Sequence, residues 1–163
     1  MKKLYCAMLA VCMAVGILAL AGCATMGGAA APMSQADFRT FVEQEWKQYT
    51  STIVNSQGLA WAALWDVNGV QLPPDSPMVL STEDFRIGVD DPPTIKWVSF
   101  DIQIIDTYVD HEYGFAFGNY AFEYTSLDGK EDTKFAGKYQ TIFHRQPDGS
   151  WKIFRDCFSG NSP

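Results

Sequence analysis

The chain has 163 residues and a formal net charge of −7, from 12 Lys and Arg residues against 19 Asp and Glu residues. No cluster of basic residues is present that would displace counterions from phosphates. The sequence therefore argues against nucleic-acid binding and against electrostatic adhesion to anionic lipid. The length suits one domain with a hydrophobic core of its own.

The N-terminal segment has the parts of a secretory signal. Met1-Lys2-Lys3 precede an apolar run from Leu4 to Leu20, and small residues follow it. The cysteine directly after Ala21-Gly22 makes the segment resemble a bacterial lipoprotein signal, which implies that Cys23 receives lipid and that the chain is cut before it. An uncleaved transmembrane anchor is the alternative, since the run approaches the length that spans a bilayer. No positive cluster follows to stop transfer.

On this interpretation residues 1–22 are a signal peptide, residues 23–33 are a lipidated N-terminus with a flexible tether, and residues 34–160 are the folded domain. Ala24 is neither Asp nor Glu, which resembles the pattern of outer-membrane lipoproteins in double-membraned bacteria. We therefore expect a lipid-anchored protein of the cell envelope, on the periplasmic side of the outer membrane in such a bacterium. Cys157 is then the one unmodified cysteine, so no disulfide forms and we expect it in the core.

The first predicted helix begins at Ser34, because Ser34 and Asp37 form a variant of the capping box. A second helix is predicted after Asn55-Ser56, with an end at Asn68-Gly69, and a third, short helix is predicted around Phe85. Apolar residues at three- and four-residue spacings form the stripe of the first helix: Phe38, Phe41, Val42, Trp46, Tyr49 and Ile53.

The hydrophobic period changes to two in the second half of the chain. Val70–Leu72 is a short early strand, and from Thr94 the residues Val98, Phe100, Ile102 and Ile104 alternate with polar residues. Three further apolar runs follow, at residues 113–124, 135–143 and 151–158. Asp128-Gly129 between two such runs is a strong hairpin signal. Helices followed by a four-strand antiparallel meander indicate an α+β fold with the helices on one face of a bent sheet.

Several C-terminal motifs resemble a known family. Gly118-Asn119-Tyr120, Gly137-Lys138-Tyr139, the stretch from Arg145 to Ile153, and Arg155-Asp156 resemble the SnoaL-like, ketosteroid-isomerase-like branch of the nuclear transport factor 2-like superfamily. This resemblance implies a cone-shaped barrel, with about three N-terminal helices on a curved, mainly antiparallel sheet, a deep pocket at the open end and a homodimer through sheet faces. The superfamily includes isomerases, cyclases, dehydratases and members with no known reaction, so the fold does not supply the function.

Asp156 is the first candidate for a catalytic role. By strand parity it shares an apolar face with Phe154 and Phe158, and burial there would raise its pKa, as a general base or a neutral acid donor requires. The alternative is a solvated or ion-paired carboxylate near the strand end. Tyr120 and Tyr139 each follow a strand glycine by two residues and would point a hydroxyl into the cone. Their alternative is a packed ring whose hydroxyl reaches solvent.

Aromatic residues are the candidates for the walls of the pocket, because small-molecule sites are mostly apolar with few polar groups. The alternative is that they form plain core. Asp101 and Gln103 are expected on a wet sheet face. His111 is expected in a solvated hairpin turn, and His144 has no Asp or Glu at metal-ligand spacing, so no metal or cofactor is predicted. The candidate wall residues are Trp61, Trp65, Phe85, Trp97, Phe143, Phe154 and Phe158.

Three functions remain open, in this order. The first is a lipid-anchored binding module for a small apolar or amphipathic molecule, motivated by the aromatic content and the absence of a complete catalytic constellation. The second is an isomerase, cyclase or dehydratase in which Asp156 is the general base and Tyr120 or Tyr139 polarises a carbonyl. The third is a dimeric interaction domain that binds another protein through its sheet face or rim.

Overall fold

The computed structural model describes residues 32–80 and 95–161. The predicted third helix with Phe85, and the predicted lipidation site Cys23, lie outside the described residues. None of the helices within the described ranges is long and apolar enough to cross a membrane. The described elements are α1 Gln35–Val54, α2 Gly58–Ala62, β1 Trp65–Leu72, β2 Ile95–Val109, β3 Tyr113–Ser126, β4 Asp132–Arg145 and β5 Trp151–Gly160.

Helix α1 begins and packs as its sequence predicts. The Ser34 side chain accepts a hydrogen bond from the backbone N–H of Asp37 at 3.1 Å, which satisfies one of the free donors of the first turn. Every residue of the predicted apolar stripe belongs to the hydrophobic core or packs against it. At its other end the helix stops at Val54, and Ser56 takes a positive φ of 52°. The cap and the stripe together are thus confirmed.

The second helix is shorter than predicted. It ends at Ala62, and Trp65 is the first residue of β1, whose pairing with β5 is parallel. A short apolar run does not distinguish a helix from a strand by its spacing, and here the pairing with β5 decides. Asn68-Gly69 lies inside β1, at an irregularity in the register between Trp65 and Val70, where the sequence predicts the end of a helix.

The predicted sheet is confirmed in its order and direction. Strands β2 to β5 form an antiparallel meander, and β1 adds to β5, which gives the order β1-β5-β4-β3-β2 in an open sheet with β1 and β2 at its edges. Two of the turns contain a glycine at positive φ, Gly129 at 70° and Gly149 at 89°, a backbone conformation that other residues rarely adopt. The Asp-Gly signal therefore predicts the β3–β4 hairpin correctly.

Bulges change which residues face the helices, and two of them overturn predictions. In β2, Trp97 pairs with Tyr124 but Ser99 pairs with Glu123, so Val98 is an extra residue and is 57% exposed. In β5, Phe154 is extra in the same way, because the register of β4 and β5 shifts between Ile142 and Phe143. The predictions that Val98 lies on the inner face, and that Phe154 shares a face with Asp156, are therefore wrong.

The core lies where the α1 stripe meets the inner face of the sheet. The ring of Phe38 contacts Phe143 and Trp151 at centroid distances of 5.8 and 5.3 Å. Aromatic pairs of this kind stabilise a core beyond the area that they bury. Cys157 is exposed, so its predicted place in the core is wrong. It follows the buried Asp156 directly, and successive side chains of a strand point to opposite faces.

Candidate functional site

A cavity of about 340 Å³ lies between the two helices and the inner face of the sheet. Helices α1 and α2 supply one wall, and every strand supplies at least one side chain. The volume is at the lower end of the range for small-molecule sites. Among the described residues, those that line it are Trp46, Tyr49, Ile53, Trp61, Gln71, Val79, Trp97, Phe100, Ile102, Tyr120, Phe122, Tyr139, Asp156 and Phe158.

Asp156 is the charged group of this lining. The residue is only 6% exposed, and the Thr141 hydroxyl donates a hydrogen bond to its Oδ1 at 2.6 Å. Burial raises the pKa of Asp156 to about 6, and hydrogen bonds from the side chains of Thr141 and Gln71 oppose that increase. The lining as described contains no Lys, Arg or His. The carboxylate is therefore buried with neutral partners.

Tyr139 and Tyr120 both line the cavity. The Trp46 Nε1–H donates to the phenolic oxygen of Tyr139 at 3.0 Å, which leaves the hydroxyl hydrogen of Tyr139 able to donate elsewhere. Burial raises the pKa of Tyr139 to about 12. Burial and the nearby charge of Asp156 raise the pKa of Tyr120. Both phenols are therefore uncharged at neutral pH.

Gly137 makes room for the ring of Tyr120. A Cβ atom on Gly137 would lie 2.6 Å from two atoms of that ring and would also meet the carbonyl oxygen of Ser159. The Tyr120 hydroxyl is itself 3.5 Å from this carbonyl oxygen, at the limit of a hydrogen bond. Gly137 therefore permits a close approach of Tyr120 from the neighbouring strand, and not of Tyr139, the tyrosine that follows it by two residues in the sequence.

The structure divides the predicted wall residues into two groups. Trp61, Trp97 and Phe158 line the cavity. The prediction is wrong for the other three that are described. Trp65 packs edge-on against Trp61, outside the lining, and Phe143 is fully buried next to the ring of Phe38. Phe154 is carried to the other face of β5 by its bulge and contacts His144. Phe85 lies outside the described residues.

Several residues of the site have no assigned role in the sequence analysis, including Trp46, Tyr49, Thr141 and Gln71. Trp46 and Tyr49 belong to the α1 stripe, whose spacing predicts burial but does not separate core from cavity. Thr141 and Gln71 are polar residues on two different strands that both border β5, and no local signal indicates that they meet Asp156. Strand pairing brings them there, since Thr141 and Gln71 both lie opposite Asp156 in the register.

A second polar cluster lies outside the cavity. His144 Nδ1 is 2.7 Å from Oδ2 of the buried Asp66, and the Gln146 side chain donates to the same oxygen at 2.8 Å. Burial of Asp66 acts to raise its pKa, but hydrogen bonds from Asn68, His144 and Gln146 outweigh that effect, and the pKa of Asp66 is lowered. Within the described ranges, no group of three or more His, Cys, Asp or Glu side chains is placed to hold a metal ion.

No protein-family model matches this sequence, and none of the curated proteins does. Solved structures do match. A ketosteroid isomerase-like protein from Erwinia carotovora atroseptica SCRI1043 is 17% identical, with a TM-score of 0.65, over 76% of this chain and 96% of that chain. A nuclear transport factor 2-like superfamily protein from Salmonella enterica is 11% identical, with a TM-score of 0.65, over 80% and 95%.

A hexachlorocyclohexane dehydrochlorinase from Novosphingobium barchaimii LL02 is 15% identical, with a TM-score of 0.62, over 77% of this chain and 87% of that chain. At these identities the likeness concerns the fold, and it agrees with the element order and the open, mainly antiparallel sheet described above. The domain of this chain therefore has the α+β fold of the nuclear transport factor 2-like superfamily.

Proposed function

We propose that the domain binds a small, largely apolar molecule in the cavity between its helices and its sheet. The observation that supports this proposal is the lining, in which nine of the fourteen described residues are aromatic and one is a carboxylate. An apolar body would displace water from the rings, while a polar group of the ligand would hydrogen-bond to Asp156 or to a phenol. This combination is typical of pockets that select a molecule by shape and by one polar contact.

A tryptophan in the cavity is expected to prevent binding. Ile102 lines the cavity, so Ile102→Trp would fill part of it with an indole ring. We expect the unaltered chain to bind N-phenyl-1-naphthylamine, an uncharged dye that fluoresces in apolar surroundings, and Ile102→Trp to weaken binding by about tenfold or more, or roughly 1.4 kcal/mol. Dye titration measures this.

Leu127→Trp is the matched control, because Leu127 is exposed in the turn between β3 and β4 and a ring there leaves the cavity unchanged. Equal affinities of the two variants would show that the dye binds elsewhere. Circular dichroism of both variants establishes that the loss in Ile102→Trp is not a loss of fold.

We also propose that the chain is attached to the bacterial cell envelope by lipid on Cys23. The supporting observation is the basic, apolar and small-residue order of the segment that ends at Cys23. Several acyl chains on one residue would give stable attachment, where one chain binds only marginally.

The lipid proposal predicts that Cys23→Ser removes labelling by a radioactive fatty acid and moves the protein out of the membrane fraction. Cys157→Ser is the control, because Cys157 is exposed in the folded domain and lies far from the signal in the sequence. Labelling of Cys23→Ser at the level of the unaltered chain would contradict the proposal. Separation of inner and outer membranes then locates the labelled protein.

A second candidate function is enzymatic proton transfer, with Asp156 as the general base. It is favoured by the pKa of about 6, which lets the carboxylate accept a proton near neutral pH, and by the Tyr139 hydroxyl in the same cavity, which could polarise a carbonyl. The dehydrochlorinase and the ketosteroid isomerase-like protein are similar in fold. Hydrogen exchange into a ketone in D₂O measures this activity.

A pairing of two copies through the outer face of the sheet is a further part of the proposal. Tyr108 on β2 and Phe117 on β3 are 59% and 45% exposed, and Ile142 and Phe154 are partly exposed on the neighbouring strands. Exposed apolar residues grouped on one face are typical of a protein contact. Sedimentation of the full chain measures whether it is a dimer or a monomer.

A further inference from the structure

Among the described residues, no cation lines the cavity to balance the charge of Asp156. Asp156 is the charged group among the described lining residues, and the side chains of Thr141 and Gln71, which hydrogen-bond to it, are neutral. A buried carboxylate normally has a cationic partner or several strong donors, because removal of its hydration is energetically costly. As described, the lining therefore offers an anion that has lost most of its water and has no cationic side chain beside it.

The walls add to the negative potential. The faces of aromatic rings carry the negative part of the ring quadrupole and attract cations, and tryptophan does so most strongly. Three tryptophans line the cavity, Trp46, Trp61 and Trp97. The orientation of Trp46 is held by its hydrogen bond to Tyr139. A ring that presents its face to the cavity would attract a cation, as Asp156 does, whereas an anion would be repelled by such a ring and by Asp156.

The phenols contribute acceptors to the same region. The charge of Asp156 acts on Tyr49, Tyr120 and Tyr139, and after burial it is one of the causes that raise the pKa of each. The three phenols therefore lie close enough to the carboxylate of Asp156 to interact with it electrostatically, and they stay protonated. A phenolic oxygen can accept a hydrogen bond from an ammonium N–H while its own hydrogen points elsewhere.

We propose that the ligand of this cavity is a small apolar molecule that carries one ammonium group. The ammonium binds to the carboxylate of Asp156 through a charge-assisted hydrogen bond, and the apolar body packs on the aromatic walls. This inference rests on the proposed function of small-molecule binding and specifies the chemical class of the ligand. The volume of about 340 Å³ suits a body of one or two rings.

Three probes with the same phenylalkyl body test the inference: 4-phenylbutylamine, 4-phenylbutan-1-ol and 4-phenylbutanoate. The purified full chain is titrated with each at about pH 7.5, where the amine is charged. Binding is followed by calorimetry and by the fluorescence of the cavity tryptophans. We expect the amine to bind at least about tenfold more tightly than the alcohol, and the carboxylate at least about tenfold more weakly than the alcohol.

Asp156→Asn keeps the shape of the side chain and removes its charge. In this variant we expect the amine to bind no more tightly than the alcohol. Asp132→Asn is the matched control, since Asp132 is exposed at the start of β4 and outside the cavity lining, and the preference for the amine is expected to persist there.

The outcomes separate the two proposals. Equal affinities for the amine and the alcohol in the unaltered chain, or a preference for the amine that survives in Asp156→Asn, would overturn the inference and leave small-molecule binding intact. Binding of the dye N-phenyl-1-naphthylamine without binding of the amine would do the same. Failure of the dye and all three probes to bind would contradict the proposed function itself.

Discussion

Replacement of Asp156 with asparagine is expected to raise the free energy of unfolding at about pH 7.5 by about 3 kcal/mol, which is the free energy of a pKa increase from 3.8 to about 6. The carboxyl group ionises more readily in the unfolded chain than in the cavity, so ionisation favours unfolding. The stabilising contribution of the protonated carboxyl group is complete below about pH 4 and is lost as the pH rises through 6. Asparagine is uncharged at every pH, so the variant keeps its stability over this range.

The difference between variant and unaltered chain is therefore expected to be near zero at about pH 4 and largest at about pH 7.5. Urea unfolding at both pH values measures it. Burial also raises the pKa of Glu45, to about 7, so the stability of each protein depends on pH through Glu45 as well. Because Glu45 is present in both proteins, its effect cancels when the variant and the unaltered chain are compared at the same pH.

Asp132→Asn is again the control. Because Asp132 is exposed, the loss of its charge is not expected to change the free energy of unfolding. A variant Asp156→Asn that is less stable than the unaltered chain at about pH 7.5 would contradict the burial of an ionised carboxylate. So would a stability gain that does not change between the two pH values.

The second large effect concerns the enzymatic candidate. If Asp156 is a general base, Asp156→Asn is expected to slow the exchange of ketone α-hydrogens for deuterium by about 10²- to 10⁴-fold. Cyclohex-3-en-1-one in D₂O, followed by proton NMR, is a suitable probe because a base is sufficient for its exchange. The rate in the unaltered chain should increase with pH through about 6, since only the ionised carboxylate accepts a proton.

Tyr139→Phe removes the candidate hydrogen-bond donor and keeps the ring, so it should slow the exchange while Asp156 still titrates. Asp132→Asn should exchange at the rate of the unaltered chain. No exchange above that of buffer in the unaltered chain would refute proton transfer on this probe. That result would leave the proposal of small-molecule binding intact. If exchange does occur, 4-phenylbutylamine should inhibit it, because an ammonium group paired with Asp156 prevents the carboxylate from reaching the ketone.

The helix α1 and the hairpins could be predicted from the sequence because their signals are local. The Ser34 cap, the apolar stripe and the Asp128-Gly129 turn each involve residues only a few positions apart. Steric and hydrogen-bonding preferences over such distances are already present in the chain before it folds. The position of Asp156 on the inner face is not local in this sense. Strict alternation from the buried Trp151 and Ile153 would place Asp156 on the outer face, and the bulge at Phe154 brings it to the inner one.

The error at Phe154 shows where this reasoning stops. Alternation places Phe154, Asp156 and Phe158 on one face, but the bulge in β5 inserts one extra residue and moves Phe154 to the other face. Where that extra residue falls depends on the register with β4. Trp65 also differs from its prediction because of strand pairing. The sequence places it in a helix, but the pairing of β1 with β5 makes it a strand residue.

By itself, the amino-acid sequence determined the α+β class, the first helix and the antiparallel meander. Only the tertiary structure decided that Gln71 and Thr141 hydrogen-bond to Asp156, and that Trp46 lines a cavity while Phe143 fills the core. The reason is that local preferences act between neighbours in the chain, whereas a cavity is bounded by residues from separate strands. Their distances are set by strand register and by the packing of the two helices on one face of the sheet.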